Sequence, residues 1–127
     1  VIIKGIIDRV LFYPDGRMVV VDFKTNRRLP PPGKIRDRYY FQVYLYALAL
    51  REIYQRLPPE AWIYFVRPNL QLPCALTDQN LDATEEQIVK TVEYITTHDL
   101  PADYPPGEDC EFCPFTVWCQ EVVSSSQ

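Results

Sequence analysis

The stretch Val19-Val20-Val21-Asp22-Phe23-Lys24-Thr25-Asn26 decides how the chain is read. Its valines suit a strand, because β-branched side chains pack well on a pleated surface. An acid and a base interrupt the run two residues apart. Side chains alternate along a strand, so Asp22 and Lys24 share one face. Residues 2–13 read as a preceding strand, and Pro14-Asp15-Gly16 is strong hairpin punctuation between the two. A three-residue loop centred on Asp15 sets Tyr13 opposite Arg17 and, counting back, Asp8 opposite Asp22. Two carboxylates facing each other across an antiparallel ladder stand about 5 Å apart at Cβ and repel. A divalent cation would reconcile them, since hard carboxylate oxygens suit Mg2+ or Mn2+. Such a cation polarises a phosphoryl oxygen, and Lys24 alongside could orient a water or neutralise charge on the phosphate. The alternative is structural: one Asp pairs with Lys24 or Arg9 while the other faces solvent.

A helix is expected from about Arg36 to Leu57, ended by Pro58-Pro59. Its residues 39–50 (YYFQVYLYALAL) are apolar or aromatic apart from Gln42. A helix apolar all round is buried, and a lone amide within it needs partners. Gln42 and Tyr46 lie four apart and so share a face. The alternative for Gln42 is a core amide satisfied by neighbouring backbone. A further strand is expected over residues 61–67, an edge-like one over 70–77 where Pro73 cannot donate to a ladder, and a helix from Asp82 to about His98. His98, the single histidine, reads as a surface or helix-end residue.

The 127 residues are one domain's worth of chain. No apolar run approaches the roughly 20 residues that cross a bilayer, and no signal peptide is visible, so a cytoplasmic protein with no membrane partner is expected. The chain opens on Val1-Ile2-Ile3 without an initiator methionine and reads as a piece of something longer. Net charge is −4, which alone argues weakly against a nucleic-acid partner. The distribution is uneven: residues 1–57 carry 11 basic and 5 acidic side chains, residues 58–127 carry 2 and 12. Arg27, Arg28, Lys34, Arg36 and Arg38 crowd a Pro-rich stretch that a phosphate backbone could use, a solvated loop being the alternative.

Gly5-Ile6-Ile7-Asp8, then Asp22-Phe23-Lys24-Thr25, then Gln42-Val43-Tyr44-Leu45-Tyr46 resembles the RecB-like branch of the PD-(D/E)XK nucleases, whose motifs run G-x-x-D, D-x-K-T/S and Q-x-x-x-Y. The match covers residues 1–57 directly, and the later strand and helix fit that family's core. The resemblance implies an α/β restriction-endonuclease-like fold, a mixed sheet flanked by helices. It implies that Asp8, Asp22 and the backbone carbonyl of Phe23 are metal ligands and Lys24 the catalytic lysine. Gln42 and Tyr46 would line the site and contact the nucleic-acid strand. The implied reaction is metal-dependent hydrolysis of DNA phosphodiesters. Family members carry a helix before the first strand that supplies a further His or Glu ligand, and this chain starts at the strand, so the fragment alone is expected to bind metal weakly or to be inactive.

Beyond residue 100 the chain turns irregular and then reaches Cys110, Cys113 and Cys119, spaced C-x2-C-x5-C. Clustered thiols suit zinc or an iron–sulfur cluster, and unligated thiols are the alternative. A similar triplet closes the nuclease domain of AddB-type helicase–nuclease subunits and CRISPR-associated RecB-like exonucleases. The resemblance there implies a [4Fe-4S] cluster whose fourth cysteine lies upstream of the core. Cys74, on an expected strand, reads instead as a small buried hydrophobe. The expected organisation is a nuclease core over 1–100 and a Cys-rich tail over 101–127. The expected function is an exonuclease module of DNA end processing, acting on single-stranded or unwound DNA beside a helicase domain or subunit. The rival is a non-catalytic, nuclease-derived DNA-binding or scaffold module with a structural zinc or iron–sulfur site.

Overall fold

The computed structural model describes residues 2–100, 107 and 113–119. The chain divides into two compact units, residues 1–88 and 89–127. In the first unit a four-stranded mixed sheet runs in the order β1-β2-β3-β4, with β1 Arg9–Phe12, β2 Met18–Lys24, β3 Glu60–Phe65 and β4 Leu70–Cys74. The outer pairs are antiparallel, while β2 and β3 run parallel. A parallel pair needs a long crossover, and the helical stretch between the two strands supplies it.

The hairpin forms as its turn chemistry dictates. Tyr13 and Gly16 close a β-turn, Gly16 N donating to Tyr13 O at 2.9 Å, with Pro14 and Asp15 as the central residues. Gly16 then adopts φ 87°, which a residue without Cβ takes at little cost. Asp15 fixes the exit by accepting from Arg17 N at 3.0 Å and Arg17 Nε at 2.8 Å. The resulting register pairs Phe12 with Met18 and Arg9 with Val21, as the three-residue loop requires. The first strand is shorter than the expected 2–13. Carried upstream, this register would set residues 2–5 against the loop after Lys24, where no strand is available, so Ile2 and Ile3 stay exposed; residues 6–8 fall opposite Lys24, Phe23 and Asp22, where the side chain of Asp8 takes the place of a backbone partner.

The crossover is helical earlier than expected. Pro31 is extended (ψ 145°) and Pro32 takes the first helical position, where its missing N–H costs nothing. The helical path runs through α1 (Pro32–Lys34), a π-helical segment (Ile35–Tyr40) and α2 (Phe41–Tyr54). It stops not at Pro58 but at Gln55, whose left-handed backbone (φ 54°) breaks the ladder. Nor is α2 buried all round. Only the stripe Val43, Ala47 and Leu50 is buried, at the spacing of one helical face, because the helix packs on the sheet along one side. Val43 and Leu50 of that stripe join one core cluster with Val20, Ala61, Ile63 and Phe65 on the central strands. The opposite face of the sheet carries Phe23 and Tyr64 edge to face at 5.9 Å, with the Arg9 guanidinium 5.7 Å from the Phe23 ring.

The edge strand β4 accommodates Pro73 as anticipated. Helix α3 (Asp78–Thr97) begins four residues before the expected Asp82, because Thr77 accepts from Asn80 N at 3.1 Å and serves as its N-cap. Arg51 of α2 faces Asp78, Asp82 and Glu85 of α3 at 3.6–3.7 Å. In the second unit the ring of His98, just past the end of α3, stacks on Tyr94 at 3.9 Å. Among the described residues no helix is long and apolar enough to cross a membrane.

Cys74, at the end of β4, is buried against the core, and burial pushes its thiol up to about 12. Its reactive thiolate is therefore scarce at neutral pH. In protein freed of bound metal, a chromogenic disulfide reagent at pH 8 should modify the exposed Cys113 while sparing Cys74 until denaturant is added, as peptide mapping would reveal. Equal labelling of the two in the native protein would contradict this packing.

Candidate functional site

The site grows from the alternation of β2. Val20, Asp22 and Lys24 face the α2 side, and across the parallel ladder Asp22 pairs with Ile63 and Lys24 with Phe65, both wholly buried. Asp22 is thus set in an apolar neighbourhood and is 1% exposed. Its carboxyl is raised from the ordinary range, chiefly by burial; Lys24 pulls it down, and the nearby Asp8 adds to the rise. Lys24 Nζ stands 2.7 Å from Asp22 Oδ2. This short ion pair is what meets the fully buried oxygen, and no ideally directed hydrogen bond reaches it besides.

The ammonium donates instead to Gln42 Oε1 at 2.7 Å, and Gln42 Nε2 donates onward to the hydroxyl of Tyr46 at 2.6 Å. Gln42 thus joins Lys24 on the strand to Tyr46 one helical turn further along α2. Gly5 passes close to this point: a Cβ there would lie 3.8 Å from Tyr46 Cε1, an ordinary contact.

Asp8 lies one residue before β1, where the hairpin register, continued, sets it opposite Asp22 as the spacing suggests. Its Oδ2 accepts the backbone N–H of Phe23 at 2.9 Å, extending the ladder with a side-chain acceptor where the backbone pairing has ended. A strand residue points its N–H and C=O toward the same neighbour, so the Phe23 carbonyl faces the same side. Lys24 points its own carbonyl the other way, to Val66 N at 3.0 Å. The Asp8 and Asp22 carboxylates thus lie near each other where β1 and β2 part, with the Phe23 carbonyl on the Asp8 side of the strand. Hard oxygens, a net negative charge and a buried carboxylate oxygen lacking a hydrogen bond fit a divalent cation of the Mg2+ or Mn2+ type. Among the described residues no three His, Cys, Asp or Glu side chains converge on one point.

Two neighbours escape the motif reading. The ring of Tyr39 lies 4.7 Å from Lys24 Nζ, and its hydroxyl accepts from Asn26 Nδ2 at 3.0 Å. The signal was present in part: Tyr39 precedes Gln42 by three residues, a helical neighbour spacing. Arg27, Arg28, Lys34, Arg36 and Arg38 are all exposed along the loop and the first helical turns. Cys110 lies outside the described residues. Cys113 precedes one short helical turn over residues 116–119 and Cys119 lies in it, with Cys119 N donating to Phe115 O at 2.8 Å.

Comparison with known proteins agrees with this geometry. The sequence matches the family model of the PD-(D/E)XK nuclease superfamily over residues 1–120. It is 40% identical over 68 residues to the A-type subunit of an ATP-dependent helicase/nuclease from Desulforudis audaxviator (strain MP104C), a match covering 52% of this chain and 5% of that protein. It is 33% identical over 75 residues to the corresponding helicase/nuclease protein of Pelotomaculum thermopropionicum (strain DSM 13744 / JCM 10971 / SI), covering 58% of this chain and 6% of that one. The matched stretch is a small part of both curated relatives. The mixed sheet, the clustering of Asp8, Asp22, Lys24 and Gln42 on it, and a family match spanning nearly the whole chain lead to one statement: the chain belongs to the PD-(D/E)XK nuclease superfamily.

Proposed function

We propose that this chain is a metal-dependent deoxyribonuclease module, acting as an exonuclease on single-stranded or unwound DNA ends beside a helicase domain or subunit. The reading rests above all on the series of side chains running from buried Asp22 through Lys24 and Gln42 to Tyr46. The helicase/nuclease name carried by the two relatives supports the helicase partnership.

Asp8, Asp22 and the Phe23 carbonyl would hold Mg2+ or Mn2+. When bound, such a cation supplies Lewis-acid polarisation of a phosphoryl oxygen and a water of lowered pKa. Lys24, held within reach by Gln42, would orient the attacking water or offset the charge that grows on the phosphate. Gln42 and Tyr46 present an amide and a hydroxyl beside it for the strand. Arg27, Arg28, Lys34, Arg36 and Arg38 would track the phosphate backbone, which the acidic remainder of the chain repels.

A finer assignment, to the iron–sulfur branch shared by AddB-type subunits and CRISPR-associated RecB-like exonucleases, draws its support from the spacing of Cys110, Cys113 and Cys119. The cluster would be a structural staple, with zinc as the alternative occupant.

Three measurements check these statements. Asp22→Ala or Lys24→Ala in the intact protein should lower Mn2+-dependent cleavage by about 100-fold or more while circular dichroism stays native. A variant cutting at the native rate would remove catalysis from this face. Neutralising Arg27 and Arg28 together should reduce the salt slope of single-strand binding by about 0.7 for each phosphate no longer neutralised; an unchanged slope takes the loop off the DNA path. Protein purified without oxygen should contain iron and acid-labile sulfide. Zinc alone would overturn the cluster.

A further inference from the structure

We infer that Tyr39 is a positioning residue for Lys24, holding the ammonium with its ring and the chain just beyond it with its hydroxyl. The inference rests on the proposed role of Lys24 in cleavage. An ammonium has three N–H donors. Around Lys24 Nζ the structure places Asp22 Oδ2 at 2.7 Å, Gln42 Oε1 at 2.7 Å and the face of Tyr39 at 4.7 Å from the ring centroid. A cation over an aromatic face at this distance is attracted by the ring's quadrupole. The same side chain reaches Asn26, two residues after Lys24, through its hydroxyl.

The need for such a residue follows from the strand. Lys24 is the last residue of β2, and a lysine carries its charge on a flexible four-carbon stem. Nothing in the strand ladder orders residues 25–31. Of the three groups around the ammonium, Asp22 is the one committed to a second task as a metal ligand. Gln42 also presents its amide to the DNA strand, whereas the ring of Tyr39 has neither task and can keep the ammonium in place throughout. Both reach it from one helical path: Tyr39 lies in the π-helical segment and Gln42 in the first turn of α2. A local π register is a recurrent way of aiming side chains at functional sites. Tyr39 also packs against Phe65, 6.0 Å between ring centroids, so the ring that steadies Lys24 is itself braced by the core. The hydroxyl bond to Asn26 ties the entry of the basic loop to that same ring.

Five proteins test this: wild type, Tyr39→Phe, Tyr39→Leu, Lys24→Ala and the double variant Lys24→Ala/Tyr39→Leu, each assayed for Mn2+-dependent cleavage of a single-stranded oligonucleotide and for Mn2+ binding. Tyr39→Leu should lower kcat by about 10- to 100-fold with KM and Mn2+ affinity unchanged, and Tyr39→Phe, which keeps the ring, should recover most of the loss. Introduced into Lys24→Ala, Tyr39→Leu should slow the reaction no further; additive losses would mean that Tyr39 acts elsewhere and would overturn the inference. A Lys24→Ala protein of native activity would sink the reading of Lys24 itself, whereas an inactive Lys24→Ala beside a fully active Tyr39→Leu sinks only the part assigned to Tyr39. Should Tyr39→Leu fail to fold, nuclear magnetic resonance of the wild type decides. The Lys24 Cε protons must be shifted upfield by the Tyr39 ring and must stay so in Tyr39→Phe; unshifted resonances overturn the inference.

Discussion

One carboxylate, Asp22, is buried in the middle of an apolar sheet, and much of the first unit's chemistry is arranged around it. Isolated charge is expensive to bury, and the cost is met either by neutralisation or by a partner. The fold supplies a partner from the same strand, Lys24, at ion-pair distance but without a hydrogen bond to the buried oxygen. The ammonium directs its hydrogen bond to Gln42 instead. The arrangement leaves Asp22 under-satisfied and Lys24 well held.

The central strand separates two kinds of surface. On one face Asp22 and Lys24 look toward α2. On the other, Phe23 packs against Tyr64 and under Arg9. Phe23 contributes its side chain to the aromatic face and its backbone to the site, through the N–H that Asp8 accepts. The identity of residue 23 can thus answer to packing while its peptide group serves the other face.

Local rules made the hairpin legible: Pro14, Asp15 and Gly16 specify a three-residue loop, and the register follows. Alternation made the shared face of Asp22 and Lys24 legible, and four-residue spacing did the same for Gln42 and Tyr46. What local rules missed depends on distant partners. The first strand begins late because residues 2–5 would lie beyond the end of β2 and because Asp8 meets the Phe23 N–H with its side chain, neither of which residues 2–7 encode. The helix begins at Pro32 rather than near Arg36 because a proline-rich, basic stretch looks like loop, although proline is at ease in a first turn. Helix α2 reads as buried on every side, yet the sheet covers only one stripe of it. The bond from Asp8 to Phe23 N–H and the place of Tyr39 over Lys24 are tertiary contacts, and spacing offered only hints of them.

Surface turns usually tolerate insertions and deletions, since little packs against them. The turn at residues 14–16 is an exception, although it is solvent-facing and remote from the acids. Its length sets how far Asp8 lies from the point where β1 meets β2. Adding or removing a single residue there would carry the Asp8 carboxylate away from the Phe23 amide, a displacement that the rest of the hairpin would transmit faithfully. An apparently ornamental turn is therefore the gauge block against which a distant cluster of oxygens is machined.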